Sequence, residues 1–136
     1  MSLFIDRRLE FNRDGLLGYR LRNNSGGSVA AGAPVIFDTT VQAGDAFTTT
    51  TTADDPLVIG MLDETVGNGA YGFVGIMGHT DKLKVNGTTA ISVGNYLTTH
   101  TVAGIAAKQT TAPKGGVLAV ALEAYSTADS NGVIDA

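Results

Sequence analysis

Short apolar segments separated by turn residues run along the whole of this chain. The clearest example is the stretch from Val58 to Met77, in which two apolar segments meet at Gly67-Asn68-Gly69. Asn and Gly tolerate the left-handed backbone that a tight turn between two twisted strands requires. The pattern therefore predicts a β-hairpin, and much of the remaining chain reads as a looser copy of that hairpin and its lead-in.

The same pattern predicts further strands and turns. Asn86-Gly87 lies between Leu83/Val85 and Ile91/Val93, which indicates a second hairpin. Pro34 lacks the N–H group that a sheet ladder needs, so its strand is expected at a sheet edge or to begin at the proline. Strands are expected at residues 29–37, 47–53, 82–85, 91–98 and 117–124, with a last strand beginning at Val133.

The spacing of small and apolar residues also indicates a degenerate internal repeat. The first unit starts with Val29 and Gly32, and the second starts with Ile91 and Gly94. Each continues as a strand, a turn, a spacer ending in a Pro-bearing turn, an apolar strand, a turn and a strand. Such matches also arise by chance in a chain rich in Gly, Ala and Val.

Length and composition narrow the fold class. The 136 residues fit one domain, and the charged fraction of 16% is below the typical value of about 25%. Frequent Gly, Thr and Val favour an all-β fold, which we predict to be a small Greek-key-like β-barrel or sandwich.

The low fraction of charged residues indicates that part of the surface faces partners. The absence of Cys excludes disulfides, and no apolar run approaches the length of a membrane span, so no membrane partner is expected.

Residues 1–24 differ from the rest in charge. They carry all five Arg against three acidic residues, whereas residues 25–136 carry four Lys against ten. The acidic body argues against nucleic acid as a partner. Apolar residues mixed with Arg are typical of docking segments. Residues 1–24 are therefore either an extended arm that lies on a neighbouring protein, with the β-barrel domain at 25–136, or the first hairpin of that domain. On the first interpretation the candidate partner-binding residues are Phe4, Arg7, Arg8, Phe11, Arg13, Tyr19, Arg20 and Arg22.

The sequence offers no constellation for catalysis. His79 and His100 are the only histidines, and neither is accompanied by a nucleophile on a recognisable strained turn. The carboxylate pairs Asp54-Asp55 and Asp63-Glu64 would point to opposite faces of a strand, so neither makes a ready metal site or acid/base dyad. We therefore expect no enzymatic activity, no catalytic residue, no cofactor and no metal.

The Gly-spaced apolar segments resemble the decoration (cement or head-stabilising) proteins of tailed bacteriophages. The matching segments are Ala31–Val35, Thr52–Asp54, Val58–Leu62 and Val74–Gly78, continued by Val93–Thr98 and Ala103–Ala106. The resemblance implies a non-enzymatic homotrimer on the outer surface of the virion capsid, made in the host cytoplasm, which binds the major capsid protein and bridges its subunits. The same cadence occurs in small domains of phage tail and fibre proteins, so a trimeric receptor-binding module that recognises a glycan is the alternative.

Overall fold

The computed structural model describes residues 9–41, 44–110 and 116–136, and the strands in these ranges form two sheets. The first sheet contains β1 (Glu10–Phe11), β2 (Leu17–Asn23), β3 (Pro34–Phe37), β4 (Ala46–Thr48), β5 (Val58–Leu62) and β6 (Tyr71–Met77). The second contains β7 (Leu83–Asn86), β8 (Tyr96–Thr99), β9 (Ala106–Lys108), β10 (Ala119–Val120) and β11 (Gly132–Ile134). No described residue lies in an α-helix, so the all-β prediction is confirmed.

Strands β2 to β6, which we call unit 1, close into a five-stranded barrel. The pairing order is β2-β4-β3-β5-β6, and β6 pairs back onto β2. The β2–β4 pair is parallel and the other pairs are antiparallel. Closure leaves the barrel strands with few free edges. The interior is filled by side chains that solvent does not reach, including Leu21, Val35, Phe47, Leu62 and Val74.

Strands β7 to β11, which we call unit 2, repeat this topology as a curled half-barrel. Strand β7 is parallel to β9, β8 pairs with both β9 and β10, and β11 pairs with β7. Strands β10 and β11 do not form a ladder. A backbone hydrogen bond joins the residues that follow these two strands: the N–H of Leu122 donates to the carbonyl of Asp135 at 2.9 Å.

Matching hydrogen bonds establish which residues of the two units correspond. The N–H of Gly32 donates to Leu62 in unit 1, and the N–H of Gly94 donates to Ala121 in unit 2.

A second hydrogen bond in each unit runs in the opposite direction. The N–H of Leu62 donates to the carbonyl of Ala33 in unit 1, and the N–H of Ala121 donates to the carbonyl of Asn95 in unit 2. An isolated bridge joins Val29 to Val66, and its counterpart joins Ile91 to Tyr125. The predicted internal repeat is therefore confirmed, but each unit begins one strand earlier than predicted, at β2 and β7.

The prediction that residues 1–24 form an arm outside the barrel is wrong for β2. This strand pairs with β6 along one edge and with β4 at its end, and Leu21 is fully buried. Its alternating inward residues fill the barrel, so the alternative that these residues begin the domain is correct here. Deleting residues 2–22 would remove a barrel strand. Residues 1–8 lie outside the described residues.

Two other predictions from the sequence, the strand over the threonine run and the hairpin at Asn86-Gly87, are wrong. Residues 49–52 are not strand, because the Thr50 hydroxyl bonds to Asp55 and accepts the N–H of Thr52, which competes with ladder pairing. The hairpin predicted at Asn86-Gly87 does not form. The Asn86 side chain instead accepts the N–H of Thr88, and the N–H of Gly87 donates to Asp129.

The two units are held together by backbone contact and a shared apolar cluster. The N–H of Lys84 in β7 donates to the carbonyl of Gly32 at 3.0 Å. Gly32 has a φ of +83°, and a Cβ atom there would overlap the carbonyl oxygen of Lys82. Met61 and Phe73 of unit 1 belong to the same buried cluster as Leu83 and other side chains of unit 2.

A second contact between the units lies at residues 52–55. The N–H of Asp55 donates to the Thr99 hydroxyl at 2.9 Å, and that hydroxyl donates to the carbonyl of Thr52 at 2.8 Å. The Gln109 amide donates to Asp54 at 3.1 Å. Because Thr99 and Gln109 are buried, these bonds fix the orientation of unit 2 on unit 1.

Substituting Gly32→Ala tests the backbone contact between the units. Gly26→Ala is the matched control, because Gly26 also has a positive φ but its Cβ would meet no atom within 4 Å. We expect the control to lose about 1–2 kcal/mol of unfolding free energy, from left-handed backbone strain alone. Gly32→Ala should lose clearly more in urea unfolding. Equal losses would show that Lys82 does not constrain Gly32.

Acid stability provides a test at Asp38, which is buried at the end of β3. Its carboxylate accepts the hydroxyl and the N–H of Thr40 and the amide of Asn24. These bonds, the Thr40 hydroxyl foremost, lower the pKa of Asp38 from its ordinary 3.8. The carboxylate therefore stabilises the fold above that value, and its contribution is lost as the pH falls through the lowered pKa.

Asp38→Asn should cost about 1 kcal/mol of unfolding free energy at neutral pH, the typical value of one hydrogen bond. The difference from the unsubstituted protein should shrink below about pH 4. Asp81→Asn, at an exposed position, is the control. A difference that stays constant down to about pH 2 would contradict this role.

Candidate functional site

Two strongly exposed apolar side chains, Phe11 and Leu9, lie on and beside β1, the strand that precedes unit 1. This short strand pairs only with β2, through Glu10 opposite Gly18 and Phe11 opposite Leu17. Phe11 is 74% exposed and Leu9 is 57% exposed. The far edge of β1 has no ladder partner among the described residues, so unpaired backbone and apolar side chains face solvent together.

An open groove of about 580 Å³ lies beside β1, and we call it the β1 groove. Its lining residues are Glu10, Phe11, Asn12, Arg13, Asp14, Arg20, Asp63, Glu64 and Phe73. The Arg20 guanidinium lies 3.4 Å from the Glu10 carboxylate and 3.7 Å from that of Glu64. All three side chains are about half exposed, so these ion pairs contribute little to stability.

A tighter cluster fixes the turn between β1 and β2 at the junction of the units. Lys82 Nζ lies 3.1 Å from Asp63 Oδ1 and 3.2 Å from Asp14 Oδ2. The Asn12 amide donates to Asp63 at 2.8 Å, while its oxygen accepts the N–H groups of Asp14 and Leu16. These bonds hold in place the side of the β1 groove that is formed by Asn12, Asp14 and Asp63.

The pKa directions in this cluster follow from burial and hydrogen bonding. Burial raises the pKa of Asp63, whose side chain is only 10% exposed. A hydrogen bond with Asp63 lowers the pKa of Asp14, and the hydrogen bond to Asp63 raises the pKa of Lys82. The Lys82 ammonium thus pairs with the carboxylates of both Asp63 and Asp14. We call this structural contact between the units the clamp.

The structure brings together three of the predicted partner-binding residues and places two others, Tyr19 and Arg22, elsewhere. Phe11, Arg13 and Arg20 line the β1 groove. Tyr19 is partly buried and packs against the core of unit 1, and this burial raises the pKa of Tyr19. Arg22 lies opposite Tyr71 on the β2–β6 pair, half-buried and outside the groove lining. Phe4, Arg7 and Arg8 lie outside the described residues.

The acidic side of the groove was not predicted from the sequence. Asp63 and Glu64 follow β5, and they bind different cations, Asp63 with Lys82 and Glu64 with Arg20. The signal available in the sequence was only their position directly after an apolar strand.

The two histidines occupy separate surface positions. His79 lies 3.5 Å from Asp135, and both side chains are substantially exposed. His100 Nδ1 accepts the N–H of Val102 at 3.1 Å. Within the described ranges, no three His, Cys, Asp or Glu side chains converge as metal ligands would. No helix in those ranges is long and apolar enough to span a membrane.

Comparison with known protein families, with curated proteins and with solved structures finds no match to this chain. The resemblance to phage decoration proteins therefore stays a prediction, and the inference of function depends on the surfaces described above.

A double-mutant cycle on Lys82 and Asp63 tests the clamp. Lys82→Met should cost about 1–3 kcal/mol of unfolding free energy, because it leaves the Asp63 carboxylate partly buried without its cation. Adding Asp63→Asn should restore part of that loss, with a coupling of at least about 0.5 kcal/mol. Lys108→Met is the control for removing a lysine charge. Additive losses from Lys82→Met and Asp63→Asn would show that the two side chains do not act together.

Proposed function

We propose that this protein is a non-enzymatic structural component of a phage virion. It binds the outer surface of the capsid and stabilises the head by bridging subunits of the major capsid protein. The observation that carries the proposal is the exposed β1 edge with Phe11 and Leu9, at the point where residues 1–8 join the barrel.

The β1 edge has the chemistry of a protein-binding surface. A strand edge can pair its free backbone groups with an extended segment of a partner, and exposed aromatic side chains provide anchors. Arg13 and Arg20 line the adjoining groove and suit pairing with carboxylates of a capsid shell. Phe4, Arg7 and Arg8 precede this edge and extend the same mixture of apolar and basic residues.

The energetics require several anchors to bind together. Full burial of an aromatic side chain such as Phe11 gains on the order of 1.5–3 kcal/mol. Ordering a flexible segment costs roughly 1–2 kcal/mol per residue in backbone entropy. A fixed β1 avoids much of that cost, because pairing with β2 already orders the backbone at Glu10 and Phe11. We therefore assign the first contact to β1 and the additional contacts to residues 1–8.

The body of the molecule suits a mechanical role. Two units joined by buried hydrogen bonds and a shared apolar cluster form one connected scaffold. The family resemblance implies that the protein associates into a trimer. In a trimer, binding of one subunit to the capsid raises the effective concentration of the other two at the capsid surface, so that weak contacts act together. The low charged fraction of the chain supports such self-contact.

A glycan-binding tail or fibre module is the second candidate. The observation that favours it is Tyr71, which is 46% exposed and lies opposite Arg22 on the outside of the barrel. An exposed aromatic beside a polar side chain can stack on a sugar ring. Binding to a glycan array that is lost in Tyr71→Ala would support this candidate over capsid binding.

Sedimentation with heads built from the major capsid protein of the same genome tests the proposal. The double variant Phe11→Ser with Arg13→Ala should bind heads at least about tenfold more weakly, which corresponds to losing roughly 1.4 kcal/mol. Deleting residues 2–8 should also weaken binding and leave the barrel folded. Leu57→Ser, at another exposed apolar position of unit 1, is the control and should bind normally.

Circular dichroism and thermal unfolding would verify that each variant is folded. If the double variant at Phe11 and Arg13 and the deletion of residues 2–8 both saturate the heads as the unsubstituted protein does, neither the β1 edge nor the preceding segment is the anchor. If the unsubstituted protein does not bind heads, the capsid function itself is wrong.

A further inference from the structure

We propose that unit 2 opens in a step of its own while unit 1 stays folded, and that unit 2 is folded only while it is docked on unit 1. The dependence between the two units therefore runs in one direction. This inference goes beyond the proposed function and does not rest on it. It follows from how each unit is closed and from which side chains fill it.

Unit 1 closes by pairing its own strands. Strand β5 pairs with β3 on one side and with β6 on the other, and β6 pairs back onto β2. Every strand of the barrel therefore has a ladder on both sides. The β2–β6 ladder runs from Leu17 to Arg22 and is the longest in the described ranges, so unit 1 cannot open without breaking it.

The interior of unit 1 is filled by side chains of unit 1 itself. The buried cluster inside the barrel has eight members, which are Leu21, Val29, Ala33, Val35, Phe47, Leu62, Val66 and Val74. All eight lie between the start of β2 and the end of β6. Undocking unit 2 therefore leaves the members of this cluster together.

Unit 2 lacks the corresponding closure. Strands β10 and β11 are the counterparts of β5 and β6, and in the described part of the chain they form no ladder with each other. Strand β10 pairs with β8, and β11 pairs with β7 over three residue pairs. The half-barrel therefore has two free strand edges at the place where unit 1 has a paired seam.

Side chains of unit 1 complete the core of unit 2. Strand alternation turns Leu62 and Val74 into the unit 1 barrel, so their neighbours Met61 and Phe73 point outward. Both outward side chains are at most 5% exposed, and they share a buried cluster with Leu97 of unit 2. The core of unit 2 is thus built partly from the outer surface of unit 1.

This contact lies at the open side of unit 2. A cavity of about 50 Å³ is lined by Leu16 and Met61 and, from unit 2, by Leu118 and Ala136. Leu118 directly precedes β10, and Ala136 follows β11. Side chains from outside unit 2 therefore lie where its two unpaired strands leave an opening.

Undocking has different consequences for the two units. Unit 1 keeps its ladders and its buried cluster, and β1 keeps its pairing with β2. Unit 2 loses Met61 and Phe73 from its core, together with the hydrogen bonds between Thr99 and residues 52 and 55. A part of a protein that keeps so few contacts opens at a lower free energy than the whole fold.

Hydrogen exchange of the full chain, followed by NMR, tests the order of opening. Leu62 and Ala121 are matched probes, because the N–H of each donates to the equivalent carbonyl of its own unit. Under conditions in which exchange reports the equilibrium of opening, the Ala121 N–H should be at least about tenfold less protected than the Leu62 N–H. Equal protection of the two amides, or stronger protection at Ala121, would overturn the separate opening of unit 2.

Two equivalent core substitutions test the direction of the dependence. Val35 in β3 and Leu97 in β8 occupy equivalent strand positions, and solvent reaches neither side chain. Leu97→Ala should lower the protection of both probes by the same factor, because unit 1 opens only after unit 2 has opened. Val35→Ala should lower the protection of Leu62 more than that of Ala121, because Val35 stays buried while unit 2 opens.

The other outcomes contradict the inference. If Leu97→Ala lowers the protection of Ala121 alone, unit 1 opens independently of unit 2 and the one-way dependence is wrong. If Val35→Ala lowers the protection of both probes equally, the chain opens as a single unit. The unsubstituted protein gives the first comparison even where a variant does not fold, and none of these measurements depends on capsid binding.

Discussion

The close approach of β7 to Gly32 is the contact on which the arrangement of the two units depends. The Lys84 N–H reaches the Gly32 carbonyl only because no side chain stands between Gly32 and the Lys82 carbonyl. Once β7 lies there, Lys82 can reach Asp63 and Asp14, and Leu83 can enter the cluster with Met61. Unit 2 needs this support more than unit 1 does, because its β10 and β11 do not pair and its half-barrel is open.

The same fold unit is therefore used in two different environments. Unit 1 is closed, and its outer face is covered by unit 2. Unit 2 is open, and side chains of unit 1 complete its buried cluster.

The sequence predicted several local features but not the long-range strand pairing. The Gly-rich turn at 67–69, the strand start at Pro34 and the repeat marked by Gly32 and Gly94 all follow from backbone preferences of single residues. The role of β2 could not be predicted in this way. Its partners are distant in the sequence, as with Leu21 opposite Gly72, and its mixture of Arg and apolar residues also fits a docking segment.

The sequence also predicted only part of the candidate site. Phe11, Arg13 and Arg20 were identified from composition, and they meet at one groove because β1 and β2 are adjacent in the chain. Tyr19 does not join them, since strand alternation turns its side chain toward the core, where it is partly buried. Lys82 and Asp63 were not identified, because they meet across the junction of the units and no local pattern brings them together.

An electron cryomicroscopy reconstruction of heads incubated with this protein would test the central functional claim most directly. We expect density for a barrel with an attached half-barrel on the outer surface of the shell, with β1 against the capsid protein. Density that places β1 toward solvent, or heads that carry no added density at saturating protein, would contradict a role in binding the capsid.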